Sequence, residues 1–197
     1  MKLEYNGCLY ESVAIPQIWY HGSKVKFSKF EDKFALTEDS NAQLGPGFYL
    51  SLSKDKAIGY AYPNGFLNEV KLTRRTNIKG AKTKYSPGFL NAFTRGLPDE
   101  LDVLSNWDED PIRAKRLMRE SLMENNATLL ELVQSLWFDC YKGHEDILLS
   151  RLRVHQIDGF MVYVGNGVTD LICYNPDILK IVKTIPYSEA KSLEPNQ

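Results

Sequence analysis

The chain has 197 residues, 43% hydrophobic and 25% charged, enough for an ordinary buried core and short enough that one domain over 1–197 is expected. Its 24 Lys and Arg against 25 Asp and Glu leave a formal net charge of -1, so no global basic field marks nucleic acid as the partner. Three cysteines, Cys8, Cys140 and Cys173, are an odd number without metal-ligand spacing; with no signal-peptide core and no apolar run of the roughly twenty residues a membrane span needs, a cytoplasmic chain with no membrane contact is expected.

Short runs rich in aromatic and β-branched residues, separated by Gly and Pro, predict strands over 18–21 and 47–52. Between them, 28–43 reads as a polar loop with a turn of helix. Ser53 is placed as an N-cap with Asp55 in the first turn, which predicts a helix over 53–62 carrying Ala57, Tyr60 and Ala61. Residues 66–72 alternate as a strand. Lys71, Arg74, Arg75, Lys79, Lys82 and Lys84 then crowd fourteen residues, and the choice lies between a solvated loop face and a substrate track.

The middle of the chain changes character. Asp110-Pro111 is a helix start, followed by Ile112, Leu117, Met118, Leu122 and Met123 at helix-compatible spacing. Helices over 128–141 and 145–155 follow, with apolar stripes that read as core. Strand patterns return over 159–164, 169–174 and 178–185, with Gly165-Asn166-Gly167 as a turn, and 188–197 reads as a polar, frayed tail. Strands, then helices, then strands predict an α+β fold whose sheet joins the two ends of the chain.

Three motifs stand out. Trp19-Tyr20-His21-Gly22-Ser23 ends a strand with a histidine and a glycine that permits close backbone approach. Gly45-Pro46-Gly47-Phe48-Tyr49-Leu50-Ser51 is a glycine-punctuated turn feeding an aromatic strand. Ala57-Ile58-Gly59-Tyr60-Ala61 presents a tyrosine eleven residues after Tyr49. Each alone has an ordinary packing explanation; their order and spacing do not.

Together they resemble the ADP-ribosyltransferases of the histidine-tyrosine-glutamate class, which includes diphtheria toxin and the poly(ADP-ribose) polymerases. The chain is also similar to small bacterial and phage-encoded ADP-ribosyltransferase domains, with Ile157-Asp158-Gly159-Phe160 as the segment that precedes their last strands. The resemblance covers 19–72 and 157–185. It implies an ADP-ribosyltransferase fold, split antiparallel or mixed β-sheets around an NAD cleft, with 99–156 as a helical insertion. It implies NAD as a substrate: His21 on a ribose hydroxyl, Gly22 on the nicotinamide carboxamide through its backbone, Ser23 on a ribose hydroxyl, and Tyr49 and Tyr60 clasping the nicotinamide.

The resemblance also requires a carboxylate to stabilise an oxocarbenium-like ribose. The family's glutamate, four residues before an aromatic, falls on Asp170 ahead of Tyr174, one methylene shorter than the pattern. Glu69 and Glu145 are alternatives. The implied activity is mono-ADP-ribosylation of a macromolecule, protein or nucleic acid, by a bacterial or phage toxin or effector, with an antitoxin or inhibitor as a candidate partner. NAD hydrolysis and catalytically silent NAD binding are the other readings. His144 and His155 match no compact ligand spacing, so no metal is expected. Trp107 reads equally as a buried residue or a recognition surface.

Overall fold

The computed structural model describes residues 2–5, 8–11, 15–35, 45–73, 76–98, 108–138, 144–165 and 168–192. Trp107, Cys140 and the turn at 166–167 lie outside them. The chain divides into two compact units: residues 1–13, 36–46 and 79–157 form one, and residues 14–35, 47–78 and 158–197 the other.

The first unit holds a three-stranded antiparallel sheet of β1 (Lys2–Tyr5), β2 (Cys8–Glu11) and β7 (Lys84–Tyr85). Its helices are α3 (Pro87–Arg95), α4 (Pro111–Glu124), α5 (Leu129–Leu136) and α6 (Glu145–Val154). Capping side chains explain their starts: Ser86 accepts from Phe89 N–H, Asp110 from Ile112 N–H, and Thr128 and Glu131 form a reciprocal capping box. The stripe expected on α4 is corrected. Met118 and Leu122 are buried, but Ile112 and Met123 are exposed, and Ala114 and Lys115 take inward positions. Lys115 reaches the Leu97 carbonyl, so a buried ammonium is tolerated because it is hydrogen-bonded.

The second unit contains β3 (Ile18–Ser23), β4 (Phe48–Ser51), β5 (Phe66–Leu72), β8 (Gly159–Gly165), β9 (Val168–Cys173) and β10 (Leu179–Pro186). They belong to a seven-stranded sheet of order β10-β5-β3-β4-β9-β8-β6, with β6 (Ile78–Gly80) at one edge. The pairs β10–β5, β5–β3, β3–β4, β4–β9 and β9–β8 are antiparallel. Helix α1 (Asp32–Ala35) is the expected helical turn. Helices α2 (Lys54–Ala61) and α7 (Tyr187–Ser192) pack on one face through Ala57, Ile58, Leu67, Ile185 and Ala190, with Tyr20 and Tyr187 at the margin. The other face buries Trp19, Phe30, Phe48, Leu50 and Val70.

An α+β protein with a sheet drawn from both chain ends is what the alternation of patterns predicts. Three local expectations change. Residues 188–192 belong to a helix whose Ala190 is buried, because docking through Ala190 and Tyr187 outweighs a polar composition. The basic run is not one solvated face: Lys79 lies in β6 with only 3% of its surface exposed, whereas Lys71 and Lys82 are exposed. The short strands β1, β2, β6 and β7 and helix α3 have no counterpart in the sequence reading.

Candidate functional site

Strand β3 pairs with β5 along its whole length, from Ile18 opposite Lys71 to Ser23 opposite Phe66. Its pairing with β4 is a single register position, Tyr20 opposite Ser51. Strand β4 in turn pairs throughout with β9, from Phe48 opposite Cys173 to Ser51 opposite Asp170. The sheet is therefore two well-paired halves joined at one point, and among the described residues no β3–β4 register pair links Gly22 or Ser23 to Tyr49 or Phe48.

The His21 ring takes the place of that missing ladder. Its Nδ1 lies 2.9 Å from the Tyr49 carbonyl oxygen. A carbonyl only accepts, so Nδ1 carries the hydrogen, and in the neutral ring Nε2 is left as an acceptor. Edge contacts with Phe27 and Phe30, at centroid distances of 5.8 and 5.3 Å, hold the ring. Removal from water pushes the His21 pKa below its ordinary value, and the Tyr49 carbonyl opposes this only in part.

Side chains alternate across a strand, so register assigns faces. Glu69, Tyr20, Ser51 and Asp170 form one row across β5, β3, β4 and β9, on the face that α2 covers. Tyr49 shares that face, two residues from Ser51 and diagonal to Asp170, a Cβ separation of about 7 Å in ordinary sheets. His21 stands on the opposite face, in the aromatic cluster that continues from Phe30 to Phe48. The two faces meet where the strands part, through the His21–Tyr49 hydrogen bond.

Ser53 caps α2 by accepting from Lys56 N–H at 3.2 Å. The helix lies unusually close to the sheet. A Cβ at Gly22 would stand 1.9 Å from the Ala57 carbonyl oxygen and 2.9 Å from Ala61 N. The missing Cβ of Gly22 thus serves helix packing. Gly65 is equally constrained, against the Ala61 and Ser23 carbonyl oxygens at 1.7 and 2.3 Å.

From its first turn α2 sends Lys56 to Asp170 Oδ2, while Lys54 lies over the Tyr20 ring at 5.1 Å. Asp170 is only 9% exposed, and its Oδ1 is sealed from solvent without a hydrogen bond. Tyr60 follows Lys56 by one helical turn and shares its flank, 56% exposed. Tyr49, Tyr60 and Asp170 therefore belong to one side of the sheet, and His21 reaches them through backbone. The Ser23 hydroxyl is engaged in its own turn, donating to the Val25 carbonyl at 2.9 Å and accepting from Val25 N–H at 3.3 Å.

Glu69 lies in the same row as Asp170 but three strands away, and Glu145 belongs to the other unit. Among the described residues no group of three or more His, Cys, Asp or Glu could hold a metal ion, and no helix is long and apolar enough to cross a membrane. Lys56 was not singled out by sequence reasoning; its only signal is its place one turn before Tyr60. Asp158 has a structural role, with Oδ2 accepting from Asn77 N–H at 2.6 Å and Oδ1 from Asn175 Nδ2 at 2.8 Å. Comparison of the sequence with protein-family models and with curated proteins finds no match.

Proposed function

We propose that the second unit binds NAD and transfers its ADP-ribose once to a macromolecular acceptor, as a mono-ADP-ribosyltransferase of a bacterial or phage effector or toxin. The observation that carries this reading is the register of β4 and β9, which sets Asp170 across from Ser51 and diagonal to Tyr49, with Tyr60 one helical turn after the Lys56 that pairs with Asp170. In this reading Tyr49 and Tyr60 stack on the nicotinamide and His21 Nε2 accepts from a ribose hydroxyl. The bond between the nicotinamide nitrogen and ribose C1′ breaks, and its electron pair leaves with nicotinamide. The acceptor nucleophile bonds to C1′ and loses its proton to water, while the unpaired Asp170 Oδ1 stabilises the positive charge that develops on the ribose.

A second reading rests on the Lys56–Asp170 ion pair: with its charge already matched, Asp170 stabilises a cationic ribose less, and the unit binds NAD without efficient turnover. Incubation with NAD labelled in the adenylate, together with a cell extract, separates the possibilities. Label that is lost on protease or nuclease treatment supports transfer, and free labelled ADP-ribose alone identifies a hydrolase. Unchanged NAD that nonetheless binds, by isothermal titration, identifies the silent module; absence of NAD binding overturns both readings.

A further inference from the structure

The loop after β3 carries Lys24, Lys26 and Lys29 within six residues, all exposed, with no acid before Glu31. The Lys24 ammonium lies 4.7 Å from the centre of the Tyr62 ring. Tyr62 ends α2 with φ 56° and ψ 165°, a conformation in which side chains are disfavoured and glycine is not. Tyr62 is 53% exposed. Neither backbone preference nor burial accounts for a tyrosine at position 62.

We propose that Tyr62, with the Lys24–Lys29 loop, forms a docking surface for single-stranded nucleic acid. Aromatic faces held in water stack on unpaired bases of any sequence, and a ribbon of lysines matches the phosphates that follow. A duplex offers no free base faces, whereas a single strand supplies a face for the tyrosine to stack on beside every phosphate that a lysine could meet. That this strand is also the acceptor of ADP-ribose rests on the transferase reading; the docking itself does not.

Fluorescence anisotropy with labelled DNA and RNA strands of about 12 nucleotides tests the surface in the whole protein without NAD. Binding is expected to weaken with salt, and Lys24→Gln and Lys26→Gln each to flatten the logarithmic salt slope by about 0.7. Tyr62→Phe should bind as the parent does. Tyr62→Gly should bind about tenfold more weakly while its melting temperature holds or rises, because glycine accepts the backbone conformation. A structural tyrosine would give the reverse. Undetectable strand binding, equal binding of a duplex, or unchanged affinity in Tyr62→Gly overturns the proposal. Strand binding without NAD binding would remove the transferase reading and leave the docking surface; NAD binding without strand binding would do the opposite and point to a protein acceptor.

Discussion

Lys56 in the first turn of α2 pairs with Asp170 of β9, 114 positions further along the chain, and the pair leaves Asp170 Oδ1 buried with no hydrogen bond. The ion pair ties the helix that carries Tyr60 to the half-sheet that carries Tyr49. Its sequence separation makes it a tertiary contact that no local pattern encodes.

Replacing Lys56 by Met strands a largely buried carboxylate. Because the lysine side chain is 30% exposed, the expected cost is about 1–2 kcal/mol rather than the larger loss of a fully buried pair. In a double-mutant cycle with Asp170→Asn, urea denaturation should show a coupling of about 1 kcal/mol. Strict additivity would mean that the pair contributes nothing to folding. In the transfer assay, Asp170→Asn should lower labelling about a hundredfold, and full activity would move the catalytic carboxylate elsewhere.

Two glycines of the second unit predict opposite outcomes. Gly22→Ala places a Cβ 1.9 Å from the Ala57 carbonyl oxygen, a backbone atom that cannot swing aside, so a loss of about 3 kcal/mol or more is expected. Gly59→Ala meets nothing within 4 Å inside α2 and should stabilise by up to about 1 kcal/mol. Equal effects of the two, measured by denaturant midpoint, would contradict the close approach of α2 to β3.

Stability should fall on acidification through two histidines. Burial lowers the pKa of His21, and burial together with the neighbouring Arg151 lowers that of His155, whose Nε2 faces the Arg151 guanidinium at 2.9 Å. Each binds its proton more weakly when folded, so its contribution is complete above about pH 6.5 and is lost as pH falls below the unfolded value toward the folded one. Melting curves from pH 7.5 to 5.5 should show this decline. His21→Gln and His155→Gln should each remove part of it, and an unchanged slope in both would place the titration elsewhere.

The capping box of α5 predicts a loss of about 1 kcal/mol for Thr128→Ala, read as a lower denaturant midpoint at constant slope. The hydrogen bonds from Thr128 also hold the Glu131 carboxyl below its usual range, so their support is present above about pH 4.5 and fades as pH falls. Because the larger of these bonds comes from the Thr128 backbone N–H, which alanine keeps, it is Glu131→Gln that should lose less stability in acid than at neutral pH.

Much of the local structure was legible because its causes are local. Ser53, Asp110 and Thr128 start helices where their side chains can satisfy backbone N–H groups, and the runs that became β3, β4, β5, β8, β9 and β10 alternate or cluster as strands must. Strands as short as Ile78–Gly80 and Lys84–Tyr85 leave too few residues for a period to show, and Lys79 reads as loop until packing buries it. Helix α7 was missed for a related reason: Ala190 and Tyr187 dock it, and two residues are not a pattern.

For the candidate site, a resemblance carried by local motifs named His21, Tyr49, Tyr60 and Asp170, because each motif lies within one strand, turn or helix and can be read along the chain. Which faces they occupy was decided only by sheet register. A shift of one residue would exchange the faces of His21 and Tyr20, and nothing in the order of residues forbids that shift. Register likewise placed Tyr49 beside Asp170, reserved the bare Cα of Gly22 for α2, and brought Lys56 to a carboxylate on a distant strand. The sequence by itself determined the residue types and the elements that carry them; tertiary pairing, which depends on strands far apart in the chain finding one alignment, decided which of them meet.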